Sequence, residues 1–293
     1  MNVRFFIWSS TLIVSLVVVG LCIRLLALQG VPVSESLILR GFSCFIFVII
    51  YAIKYHLSLI PKSLKSQLLR ATLAGLALTF LSLSYNWLTA STVSVLSNID
   101  VPLLLVLGPL IGIQASRLAR VLSLISILFL LWYLANLERQ VNLLYGLGAL
   151  TLGSLLLCFG YLFIKKSMME ENKAVAIMTP SLAIVFYGLF EMMGGSGSIS
   201  SAWNQSNLIF CILSGAGMFI AYIATMKLYE ITDLATAEFP TLISSIVIQP
   251  AELIFLNEPI HRIYLISSIG FVLMTYFIMT LEKSKIVSET YAD

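Results

Sequence analysis

The sequence predicts an all-α integral membrane protein of ten transmembrane helices, arranged as two inverted five-helix repeats. Three observations predict it. Of 293 residues, 59% are apolar and 11% charged. That is more apolar surface than a soluble fold hides, but natural for helices solvated by lipid. Ten apolar segments fill nearly the whole chain, each close to the roughly 20 residues that cross about 30 Å of hydrocarbon. The basic residues are also shared unevenly between the polar breaks, as in a protein with a fixed orientation.

The first segment, near residues 5–27, is too long for a secretory signal and has no small-residue cleavage site after it, so it is read as a span. Spans follow near 34–53 and 68–88. The fourth, near 92–113, contains Pro102, Pro109 and a Gly108-x-x-x-Gly112 spacing suited to close helix packing. Spans near 119–136, 143–164, 175–193 and 207–227 come next. The ninth, near 234–255, contains Pro240 and Pro250, and the tenth lies near 262–281. With a cytoplasmic N-terminus, thirteen of the seventeen Lys and Arg residues fall at cytoplasmic ends. Arg139 and Arg262 face the other side, and Arg24 and Arg40 lie within spans. Both termini are therefore expected in the cytoplasm.

The chain divides into 1–140 and 141–293, five spans each. A shift of about 144 residues lays Tyr85–Val93 on Tyr229–Ala237 and pairs span 4 with span 9. An odd number of spans per half makes the second half enter the membrane from the opposite side, the plan of many carriers. Proline frees a backbone carbonyl, and in lipid that carbonyl needs protein or cavity water. Matching proline-interrupted helices therefore point to a substrate path, with an ordinary kink as the alternative, since membrane helices tolerate proline.

The stretch Thr232-Asp233-Leu234-Ala235-Thr236-Ala237-Glu238-Phe239-Pro240, followed by Phe255-Leu256-Asn257-Glu258-Pro259, resembles the drug/metabolite transporter superfamily, EamA type. Ala90-Ser91-Thr92-Val93 with Pro102 resembles a weaker copy, although Gln114 stands where the register with Glu258 expects an acid. Arg40 also resembles a family feature. The Asp-x-Ala-Thr-Ala run and the Asn-Glu exit are similar to bacterial S-adenosylmethionine uptake carriers. The resemblance covers essentially the whole chain. It implies a secondary active transporter of a small organic metabolite: an amino acid, a nucleotide-derived compound such as S-adenosylmethionine, or a drug-like molecule.

Ionisable groups inside a bilayer are costly and mark candidate sites. Arg40 is read either as the anchor of a carboxylate or phosphate, or as a structural partner of Asp100 or Glu35. Arg24 is either a site residue or a side chain that snorkels to the interface. Asp100 is too deep and too short to snorkel, and is a candidate proton carrier together with Glu238. Glu252 either joins the site or faces outer water. Asn98 shares a helix face with Ser94.

Rival classes find less support. No G-x-x-x-x-G-K-[S/T] occurs, which argues against an ATP-driven pump. His56 and His261 fall in loops on opposite sides, and no nucleophile motif stands in a span, which argues against an intramembrane enzyme. A facilitative exchanger or a channel is the alternative. Cys22, Cys44, Cys158 and Cys211 all fall in spans without a C-x-x-C spacing and read as small apolar residues. No cofactor and no metal is expected. The expected partners are a small-molecule substrate, the lipid bilayer, and a proton or counter-substrate, with no nucleic acid, in a monomer or homodimer. The expected location is the bacterial inner membrane.

Overall fold

Helix ends in this chain are written by a few capping residues. In the computed structural model, which describes residues 3–99, 102, 106, 117–135, 143–194, 204–232, 234–258 and 262–290, α1 (Val3–Leu28) closes on Gly30. The φ of +71° at Gly30 lets the Val31 amide reach back to the Leu26 carbonyl. Helix α2 (Val33–Lys54) closes in the same way on His56, at φ +51°, with the Leu57 amide on Ala52. The remaining helices are α3 (Leu64–Ser84), α4 (Ala90–Ser97), α5 (Arg117–Ala135), α6 (Leu143–Glu170), α7 (Lys173–Gly194), α8 (Gln205–Ile231), α9 (Leu234–Leu256) and α10 (Arg262–Thr290). Thr89, Asn172 and Asn204 each accept a backbone N–H three residues on, at the starts of α4, α7 and α8.

Six of these helices (α1, α2, α3, α7, α8 and most of α9) are long and apolar enough to cross a membrane. Their outward faces carry large apolar side chains such as Phe6, Val14, Phe42, Phe186 and Ile254. The chain is an all-α, multi-pass membrane protein.

The helix starts recur. Val3 and Leu143, Val33 and Lys173, Leu64 and Gln205, Ala90 and Leu234, and Arg117 and Arg262 stand 140 to 145 residues apart. Packing recurs with them. Helices α1, α2, α8 and α9 form one group, in which α8 packs on α1 and α2, and α9 on α1. Helices α3, α4, α6 and α7 form another, in which α3 packs on α6 and α7, and α4 on α6. Advancing each helix by five positions converts one group into the other. The two meet where α2 packs on α7 and α4 on α9, while α5 and α10 pair beside them. Within the groups Gly75 and Gly215, at matching places, allow close approaches. A Cβ on Gly215 would lie 2.6 Å from the Arg40 carbonyl oxygen, and one on Gly75 would lie 2.8 Å from the Ala183 Cβ.

The expectation of two interrupted helices is corrected for span 9. Helix α9 runs unbroken from Leu234 to Leu256 through both Pro240 and Pro250. A lost ladder bond is tolerated in a helix packed on several sides, and α9 packs on α1, α4 and α10. By contrast α4 stops at Ser97, with Asn98 as its C-cap and Ile99 in a turn. Asp100, Gly108, Pro109, Gly112 and Gln114 lie outside the described residues.

Candidate functional site

The ends of α1, α3 and α9 and the start of α4 meet at one end of the bundle, called distal here; the start of α1 lies at the proximal end. At the distal end Arg24, on the last turns of α1, donates from Nη2 and Nε to Glu258 Oε1, at 2.8 and 3.1 Å, and from Nη1 to the Tyr85 carbonyl at 2.7 Å. Glu258 reaches Arg24 because Asn257 takes a left-handed φ of +53° just past α9, turning the chain back. Asparagine tolerates that conformation better than most residues. The ion pair is largely dry, with 12% and 18% of the two side chains exposed.

Glu252 sits one and a half turns before Glu258 and is 3% exposed. Its carboxyl interacts with the Ser91 side chain and backbone and with Glu258. Glu252 Oε1 and Glu258 Oε2 are buried without a hydrogen-bond partner. The cluster thus gathers two carboxyls and one guanidinium. It also joins the two helix groups, because Arg24, Glu252 and Glu258 belong to one, and Tyr85 and Ser91 to the other.

At mid-depth Asn98 Nδ2 donates to Ser245 Oγ at 2.7 Å and to the Ser94 carbonyl at 2.9 Å, tying α4 to α9. Arg40, on α2, is 3% exposed. Its Nη2 donates to Ser82 Oγ of α3 at 2.9 Å, and its Nε and Nη1 have no partner among the described residues. Cys22, Tyr85 and Cys211 are the groups its charge acts on. Neither Glu35 nor any other carboxylate pairs with it among the described residues.

The proximal end is different. A cavity of about 600 Å³ opens there between Tyr51, Tyr55, Leu57 and Lys227 of one group and Glu171, Asn172 and Lys173 at the α6–α7 junction. Glu230 accepts from Lys173 at 2.5 Å and Lys227 at 2.8 Å, with the side chains of Lys173 and Glu230 25% and 45% exposed. Below this rim Arg70 is buried, donating to Gln67 Oε1 at 3.3 Å and to the Ala176 carbonyl.

The structure therefore brings Arg24 and Glu252 together and sets Arg40 and Asn98 on the seam between the groups. Asp100 lies outside the described residues, as does the side chain of Glu238. Sequence reasoning missed Glu258, Ser82, Ser91 and Arg70 as parts of these clusters. The Asn-Glu pair after a long apolar run was the available signal for Glu258. No family model matches the chain, and no curated protein matches it.

Proposed function

We propose that this protein is a secondary active transporter of a small organic metabolite, working by alternating access between two inverted five-helix repeats, 1–140 and 141–293. The observation that carries this reading is the asymmetry of the seam. One end is bolted across the two helix groups by Arg24, Tyr85, Glu252, Ser91 and Glu258, while the other holds a cavity between the same groups. A carrier exposes its site to one side at a time, so one closed and one open end is the arrangement it needs. The recurrence of helix starts and of packing supports the repeat. The resemblance to the EamA-type drug/metabolite transporters supports the same function. The excess of basic residues at the proximal end supports a cytoplasmic cavity, with both termini on that side and the bacterial inner membrane as location. We take a proton as the coupling ion, with Glu252 joining Asp100 and Glu238 as its candidate carriers.

Distances between spin labels test the reading without knowledge of the substrate. One pair, Gln29→Cys with Leu144→Cys, spans the groups at the distal end; the other, Phe6→Cys with Lys65→Cys, spans them at the proximal end. Glu258→Gln weakens the distal bolt. The distal pair should then separate and the proximal pair close together. A distal change with no proximal response would overturn alternating access.

A further inference from the structure

Arg40 poses a problem of charge. Arginine stays protonated at any physiological pH and presents five N–H donors. Here the side chain is nearly sealed from solvent. One nitrogen holds Ser82 Oγ, while Nε and Nη1 hold nothing among the described residues. Among the described residues the titratable groups that act on it are Cys22, Tyr85 and Cys211, all neutral at pH 7. A buried cation without a counter-charge is strongly destabilising, and completing the pair relieves that cost.

The position of Arg40 is as informative as its chemistry. It reaches across the seam, from α2 of one helix group to Ser82 on α3 of the other. Gly215 lets the α8 backbone close onto the Arg40 carbonyl at the same level. A second buried guanidinium, Arg70, sits on α3 below the proximal cavity, with Nε also unpartnered. The twelve residues from Arg70 to Ser82 on α3 cover about 18 Å along the helix axis. Two buried guanidiniums thus sit at two depths, Arg40 bonding across the seam and Arg70 within the second group, and neither pairs with a carboxylate among the described residues.

We propose that the transported metabolite is an organic anion whose carboxylate or phosphate group binds Arg40, with Ser82 as a second donor, and passes Arg70 on its way to the proximal cavity. Each two-donor edge of a guanidinium joins Nη2 to Nε or to Nη1; Ser82 takes one Nη2 hydrogen, so the other Nη2 hydrogen and the unpartnered nitrogen beside it form an edge that binds a carboxylate or phosphate through two hydrogen bonds. This inference rests on the carrier reading and narrows its substrate. It favours anions over cationic metabolites and cationic drugs.

The test uses purified full-length protein in detergent at fixed ionic strength. Melting temperature is followed while chloride is replaced by succinate, by glycerol 3-phosphate or by inorganic phosphate, with glycerol as the uncharged control. Wild type should rise by several degrees with at least one of the three anions and not with glycerol. Arg40→Gln should lose that rise and, without added anion, melt no lower than wild type, because it removes an unpaired buried charge. Arg40→Lys, which keeps the charge but not the fork, should bind the same anion at least tenfold more weakly. Succinate against glycerol 3-phosphate separates carboxylate from phosphate recognition, and a response to inorganic phosphate alone would mean an ion site without substrate selectivity, which overturns the proposal. No rise with any anion in wild type overturns it too. So does an Arg40→Gln variant that melts well below wild type without anion, since Arg40 is then a structural strut. The spin-label distances separate the two readings: ends that exchange without any anion response leave the carrier standing and remove the anion, and an anion response with ends that never exchange does the reverse.

Discussion

The two ends of the bundle hold ion pairs of similar length and opposite character. At the distal end Arg24 and Glu258 meet at 2.8 Å, mostly out of water, with the Tyr85 carbonyl and Glu252 beside them. At the proximal end Lys173, Lys227 and Glu230 meet at 2.5 and 2.8 Å on the rim of an open cavity. Distance alone would rank them equal. Solvent decides otherwise. An exposed pair gains little, because water screens the attraction and two long side chains lose freedom. In a dry cluster each partner answers for the other's desolvation, so removing one is costly. The distal cluster is built to hold, and the proximal rim to part.

The strongest way to break this comparison is Arg24→Met. It leaves Glu258 and Glu252 facing each other without a cation, and we expect a loss of about 3 kcal/mol in unfolding free energy in detergent. A loss below about 1 kcal/mol would mean that water already reaches the distal cluster. Next comes Gly215→Ala. Its methyl group would meet a backbone carbonyl, which cannot swing aside, so α8 must move away from α2 at a cost of about 2 kcal/mol. Gly75→Ala, at the matching place, meets the Tyr187 ring and Ala183 Cβ instead, and the comparison sharpens if denaturation shows the smaller loss there. Asn98→Ala removes the mid-depth link to Ser245. Interhelical hydrogen bonds in membranes are modest, so about 1 kcal/mol is expected by the same measurement. The smallest effect belongs to Glu230→Gln, under about 1 kcal/mol. Salt should erase that difference while leaving the Arg24→Met difference largely intact, and melting curves at low and high ionic strength check both.

Much of this molecule was legible along the chain, and the reasons are particular. Lipid requires helices long enough to cross it and satisfied in their own backbone, so apolar run length located the membrane helices to within a few residues. The register that pairs Ala90 with Leu234 matches the starts of α4 and α9, and the cap at Thr89 that starts α4 is local. Cost in a bilayer singled out Arg24, Arg40 and Glu252 before any neighbour was known. What each charge meets was not legible. Glu258 stands outside the ninth apolar run and reads as a loop residue, until the left-handed turn at Asn257 brings it onto Arg24, 234 residues earlier. Arg40 reads equally well as paired or unpaired, since its own helix offers Glu35. Only the packing of α1, α3 and α8 around α2 leaves its Nε and Nη1 without a partner among the described residues. Proline in span 9 reads as an interruption, yet α9 runs continuously through both prolines with neighbours on three sides. Run length, caps and solvation cost are properties of neighbouring residues and can be read in order. Partners and sealed volumes come from helices far apart in the chain, and only the tertiary structure decides them.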